Sequence, residues 1–217
     1  MVMSSLVLTA DTLLGTPTVG SLEYDGKSLY TTPQGTQRGI VPGAQFYRLD
    51  SAYAGANATG AQGVFGVGTG GTGIGVTLSA STVYAFDYYA VFSKSAGVTS
   101  HTFSLGFGGS ATLNNILYGG ATNNQNSAYT AGNVSGATNF DSNTAASTVF
   151  IGASTSAGKT NYLYAKGTVS INAGGTFIPQ YTLSAAPGGA YSTLAGSYFY
   201  IYPIGASGAA INVGTWS

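Results

Sequence analysis

The sequence predicts an all-β chain: an antiparallel two-sheet sandwich of jelly-roll type, preceded by a short extended N-terminal arm with a β-hairpin. Three observations lead there. Apolar residues recur at period two, as in Tyr84, Phe86, Tyr88, Ala90 and Phe92, or in Phe103, Leu105 and Phe107. Eight or nine such runs succeed one another at roughly 8–15-residue spacing, the rhythm of a sandwich. The 34 glycines fall mostly between the runs, and no stretch carries a helical period over a useful length.

Residues 1–43 read as the arm. Leu6–Thr9 is a short apolar strand that ends before a break at Pro17. Asp25-Gly26 then separates two alternating runs and predicts a type I′ hairpin turn, which needs positive φ at both central residues. Pro33, Gly35, Gly39, Pro42 and Gly43 interrupt the remainder of the arm. An arm this small buries no core of its own and is stable only against something else. Its assembly residues are Leu6, Leu8, Leu22, Tyr24, Leu29, Tyr30 and Arg38.

Residues 44–217 read as the sandwich domain. Gln45–Leu49 and Ile74–Leu78 are early strands. Thr82–Phe107 is the centre: two antiparallel strands joined by a polar loop, the first apolar on both faces. Such a strand lies in mid-sandwich or against another subunit. Thr112–Tyr118 precedes a polar stretch, 119–147, long enough to be an exposed variable surface or a solvated crossover. Thr148–Ile151 and Tyr162–Asn172 come next, the latter with Leu163, Ala165, Val169 and Ile171 inward. Ala173-Gly174-Gly175 predicts a hairpin into Thr176–Leu183, where Pro179 implies an edge or a bulge. Ser197–Pro203 closes the chain with Tyr198, Tyr200 and Tyr202 on one face and Phe199 and Ile201 on the other.

Charge narrows the function classes. Six basic and six acidic residues in 217 give no electrostatic case for nucleic acid or anionic lipid. So neutral a chain self-associates unless its apolar strands are covered, which favours a fixed homo-oligomer. The absence of cysteine fits folding in a reducing cytoplasm, the N-terminus lacks the basic and apolar regions of a signal peptide, and no apolar run is long enough to insert in a membrane.

Catalytic groups are sparse. His101, the single histidine, sits on an apolar strand face beside Phe103, with no nucleophile or orienting acid placed near it. Asp87, between aromatic neighbours, reads as a structural anchor for Arg38, Arg48 or a backbone amide. Gly68-Thr69-Gly70-Gly71-Thr72-Gly73 matches a dinucleotide fingerprint in letters, but a β-type run succeeds it where a phosphate-binding helix is required. The expectation is therefore no enzyme, no metal and no cofactor. The tyrosines remain. Tyr84, Tyr88, Tyr198, Tyr200 and Tyr202 are candidates for a subunit or ligand surface, since rigid amphipathic rings give contact area at low entropic cost.

One resemblance adds to these readings. Gly20-Ser21-Leu22-Glu23-Tyr24-Asp25-Gly26, continuing through Leu29-Tyr30-Thr31-Thr32-Pro33 to Arg38-Gly39 and Gln45-Phe46-Tyr47-Arg48-Leu49, resembles a module of tailed-bacteriophage virion surface proteins. The segments 99–109, 202–205 and 212–216 are similar too. The resemblance implies a β-sandwich on the virion surface, made in the host cytoplasm, with no catalytic residues. With only some 43 residues ahead of the sandwich, a capsid decoration (cement) protein is favoured over a tail fibre. Its partners would be itself, as a trimer or dimer, and the major capsid protein or another virion protein. A tail-fibre tip recognising host surface glycans is the alternative.

Overall fold

The computed structural model describes residues 6–67, 73–123 and 137–216, which contain sixteen strands, all paired antiparallel, and no helix. Among these residues no helix is therefore long and apolar enough to cross a membrane. The sheets are open rather than closed on themselves, and two of them face each other as a sandwich.

The arm is a separate three-stranded sheet: β1 (Leu22–Tyr24), β2 (Leu29–Thr31) and β3 (Gly39–Val41), in that order. The Asp25 turn is not the expected two-residue I′ type. Tyr24 pairs with Leu29, which leaves a four-residue loop in which Gly26 alone has positive φ. The Asp25 carboxylate organises it, accepting from the amides of Lys27 (2.8 Å) and Ser28 (2.7 Å) and from the Tyr30 hydroxyl (2.9 Å). The expected strand at Leu6–Thr9 does not form, and Leu6 and Val7 stand in solvent.

The larger sandwich sheet is centred on β8 (Thr82–Lys94). One edge of β8 carries β13 (Lys159–Ala173), then β10 (Thr112–Asn123) and β11 (Ala137–Ser142). The other edge carries β16 (Tyr198–Ala206) backed by β4 (Gln45–Arg48), and, at the end of β8, β15 (Ser192–Thr193) backed by β5 (Tyr53–Ala54). The smaller sheet runs β12 (Thr148–Ser154), β9 (His101–Gly108), β14 (Gly175–Leu183) and β6 (Gln62–Gly63), with β7 (Val76–Leu78) also on β14.

Two expected hairpins are instead passages between the sheets. β8 and β9 do not pair, because both edges of β8 are taken by β13 and by β16 with β15. β13 and β14 likewise separate at Gly174-Gly175, where the corner is so tight that a Cβ on Gly174 would lie 2.9 Å from the Leu78 carbonyl oxygen. Pro179 is not at an edge either: β14 pairs with β9 on one side and β6 on the other. Its carbonyl accepts from Val64, so its missing N–H faces the same way, just past the end of the short β6. Part of the polar stretch 119–147 is strand: β10 runs on to Asn123 and pairs with β11, while 124–136 lie outside the described residues.

Aromatic rings fill the space between the sheets. Phe103 on β9 lies 4.7 Å from Phe92 of β8, 4.9 Å from Tyr181, 5.0 Å from Tyr191 and 5.1 Å from Phe150, ring centre to ring centre. Phe86 and Phe199 of the larger sheet meet Phe107 and Phe177 of the smaller in a second group. Edge-to-face and offset pairs of this kind add to the burial of the rings themselves.

Candidate functional site

The outer face of the larger sheet is the most distinctive surface of the molecule, and strand register builds it. Odd positions of β8 and even positions of β13 and β16 point away from the core. Across six strands one row reads Arg48, Tyr198, Tyr89, Tyr164, Ala121 and Asn139. The next reads Phe46, Tyr200, Asp87, Lys166, Gly119 and Asp141. The rings touch along and between the rows: Phe46 stacks on Tyr198 (5.5 Å), Tyr89 meets Tyr198 (6.0 Å), and Tyr200 meets Tyr202 (5.5 Å). Phe46 is 57% exposed, high for a phenyl ring.

The charges beside the rings are paired. Lys166 reaches Asp87 at 3.1 Å, off the direction of a good hydrogen bond, and its ammonium lies over the Tyr164 ring. The partner of Asp87 is thus Lys166, not Arg38, Arg48 or a backbone amide. Arg48 reaches the fully exposed Asp50 at 3.0 Å. Asp87 and Asp141 share a row but stand three strand spacings apart, about 14 Å, wider than the roughly 5–9.5 Å that separates the two carboxyls of a glycosidase.

At the β4 edge the aromatic face runs into a cleft of about 250 Å³ between the two sheets, lined by Phe46, Tyr47, Phe65, Val76, Pro179 and Phe199. Among the described residues β4 bonds only to β16, which leaves its other edge without a partner strand there, along this cleft.

Of the tyrosines expected on a surface, Tyr198, Tyr200 and Tyr202 are on this outer face, while Tyr84 and Tyr88 are in the core. Inward parity along β8 puts them there, and Tyr89, from the opposite parity, takes the surface place. In the arm, Leu6 and Leu22 are exposed and Leu8, Tyr24 and Leu29 half-buried. Tyr30 is buried, and Arg38 is engaged within the arm. Its guanidinium holds both Glu23 oxygens at 3.0 Å and the Leu14 carbonyl at 2.6 Å. Burial pushes the Glu23 carboxyl up, but the Leu14 amide and the Arg38 guanidinium outweigh it and hold Glu23 below its ordinary value.

A second polar group lies inside the sandwich at one end, and alternation alone did not single it out. Lys94 and Lys159 are cross-strand partners on the inward face of β8 and β13, both buried. The Lys94 ammonium donates to the carbonyls of Ser156 (2.5 Å), Gly97 (2.8 Å), Ala157 (3.2 Å) and Ala96 (3.3 Å), tying two loops together. His101 is buried there too. Its Nδ1 faces the Thr99 carbonyl (2.7 Å) and so carries the hydrogen, which leaves Nε2 to accept from the Tyr191 hydroxyl (2.8 Å). Burial lowers the His101 imidazole, the Thr99 carbonyl works against this, and the two lysines lower it further, so the net shift is downward. Burial, then Lys94, brings Lys159 down to about 8. The sequence carried one signal of this cluster: lysines at the same parity as Phe92 and Leu163.

The glycine-rich match at 68–73 lies almost wholly outside the described residues. No group of three or more metal-ligating side chains occurs among the described residues. Compared with protein-family models, curated proteins and solved structures, the chain matches none.

Proposed function

We propose that this chain is a non-enzymatic structural protein of a tailed-bacteriophage virion, a capsid decoration protein that binds the shell as an oligomer and stabilises it. The observation that carries the reading is the aromatic outer face, on which Phe46, Tyr198, Tyr89 and Tyr200 form a touching array whose neighbouring charges cancel in pairs. Such a face suits contact with a second copy of this chain, with a trimer matching the local three-fold symmetry of a shell. The arm supports shell attachment: its sheet is braced internally by the Glu23–Arg38 pair, while Leu6 and Val7 ahead of it are exposed and apolar. A partner that binds only the assembled shell stabilises it by mass action.

The test is sedimentation of the wild type beside the double variant Phe46→Arg, Tyr198→Arg. An oligomer that dissociates in the variant, with unchanged circular dichroism, is the expected result; a wild type that stays monomeric at micromolar concentration overturns it. Removing residues 1–10 is expected to leave the sandwich folded and to lower occupancy on particles. The alternative, a tail-fibre tip that stacks host glycans on Tyr198, Tyr200 and Tyr202, is favoured by the neighbouring Asp87 and Lys166, polar groups placed beside stacking rings. Copy number per particle separates the two, hundreds for a shell protein and tens or fewer for a fibre.

A further inference from the structure

The buried end of the sandwich holds positive charge without its complement. Lys94 and Lys159 are 4% and 2% exposed, and among the described residues no carboxylate pairs with either. The acids are elsewhere: Asp11, Glu23 and Asp25 in the arm, Asp50, Asp87 and Asp141 on the outer surface. The Lys94 ammonium is saturated, since three N–H donors meet four carbonyl oxygens. Lys159 has no acceptor among the described residues. Two positions along β13, on the same inward face, Asn161 is wholly buried and both its amide nitrogen and its amide oxygen lack a partner.

A buried amide is normally bonded, and each one left open costs free energy. Asn123, at the same end, shows the ordinary outcome: it donates to the Thr160 carbonyl (2.9 Å) and accepts from the Tyr162 amide (2.8 Å). His101 and Tyr191 satisfy each other and offer no negative charge. The packed rings of Phe92, Phe103, Phe150 and Tyr191 wall this end, so an occupant is small.

We propose that this end of the sandwich binds one small monovalent anion, a halide or an ion of formate size, between Lys159 Nζ and Asn161 Nδ2, with Lys94 adding to the positive potential. The ion supplies the missing countercharge and an acceptor for the open amide N–H. It belongs to the folded state alone, because Lys159 and Asn161 share a buried inward face only when β13 is paired with β8.

Thermal unfolding of the full chain, in sodium bromide from millimolar to molar at ionic strength held constant with methanesulfonate, tests this. Above its dissociation constant, bromide is expected to raise the midpoint by about 3–5 °C per tenfold increase. Formate in place of bromide distinguishes carboxylate from halide. Lys159→Met and Asn161→Leu are expected to remove the response, and a bromide-soaked crystal to show anomalous density beside both side chains. Asn161→Asp guards against variants that fail to fold. It places a carboxylate next to Lys159, so it is expected to unfold higher than the wild type without halide and to ignore bromide. A bromide response retained in Asn161→Asp, a wild type indifferent to both anions, or an ordered water where the anomalous peak is expected overturns the proposal.

Discussion

Replacing Lys159 by methionine is expected to flatten the dependence of stability on pH above neutrality. The folded chain holds Lys159 at about 8, against an ordinary value of 10.5, because burial and then Lys94 oppose its charge. Between these values the unfolded chain keeps a proton that the folded chain has released, so stability rises with pH. At pH 7 the charged lysine burdens the fold by about 3 kcal/mol, and at pH 9.5 by about 1, a gain of about 2 kcal/mol across the window. The groups facing Lys159 act in known directions. Burial lowers Lys94 also, so it adds to the slope. His101 is lowered and titrates below the window. Burial raises Tyr181 and Tyr191, which works against stability once unfolded tyrosines ionise near pH 10, so the measurement stops short of that. Urea unfolding in halide-free sulfonate buffers measures the effect. Wild-type stability that is flat or falls from pH 7 to 9.5, or a slope undiminished in Lys159→Met, would refute the reasoning.

Phe103→Ala removes the ring that touches four others between the sheets and is expected to cost about 3–5 kcal/mol, read from urea midpoints, whereas Val98→Ala in the exposed connection is expected to cost almost nothing. Arg38→Ala frees the Glu23 carboxylate and the Leu14 carbonyl, so hydrogen exchange is expected to speed up at Leu14 and across β1 with the sandwich unchanged. The same latch weakens in acid: Glu23 is held below 4.5, so its contribution is present above that pH and fades as the pH falls through its folded value, visible as faster arm proteolysis by an acid protease. Gly97→Ala is expected to cost about 2 kcal/mol or more in thermal or urea unfolding, because φ is +85° there and a Cβ would overlap the Pro187 carbonyl oxygen.

Alternation along each run was enough to turn Leu163, Ala165, Val169 and Ile171 inward and to separate Phe199 and Ile201 from Tyr198, Tyr200 and Tyr202. Period two assigns a face, however, and says nothing of which strand lies alongside. That is why β8–β9 and β13–β14 read as hairpins: the short Gly-containing links suit a hairpin and a sheet-to-sheet corner equally, and only competition for the edges of β8 decides. The aromatic face depended on the same missing information, since Phe46 stacks on Tyr198 through a pairing of residues about 150 positions apart in sequence. Tyr84 and Tyr88 were visible as tyrosines, but the parity that buries them was outweighed by their polar hydroxyls. Lys94 and Lys159 had the converse fate: their charge suggested solvent, and their parity was the better guide.

The ammonium of Lys94 clamps the 95–100 and 155–158 connections in a chain that has no sulfur bridge to do so. Reductants, which open the staples of many small extracellular β-domains, therefore have no disulfide to act on here. The tie is one side-chain nitrogen and a ring of peptide oxygens, so shortening Lys94, rather than breaking any sulfur bond, is what releases this end of the molecule.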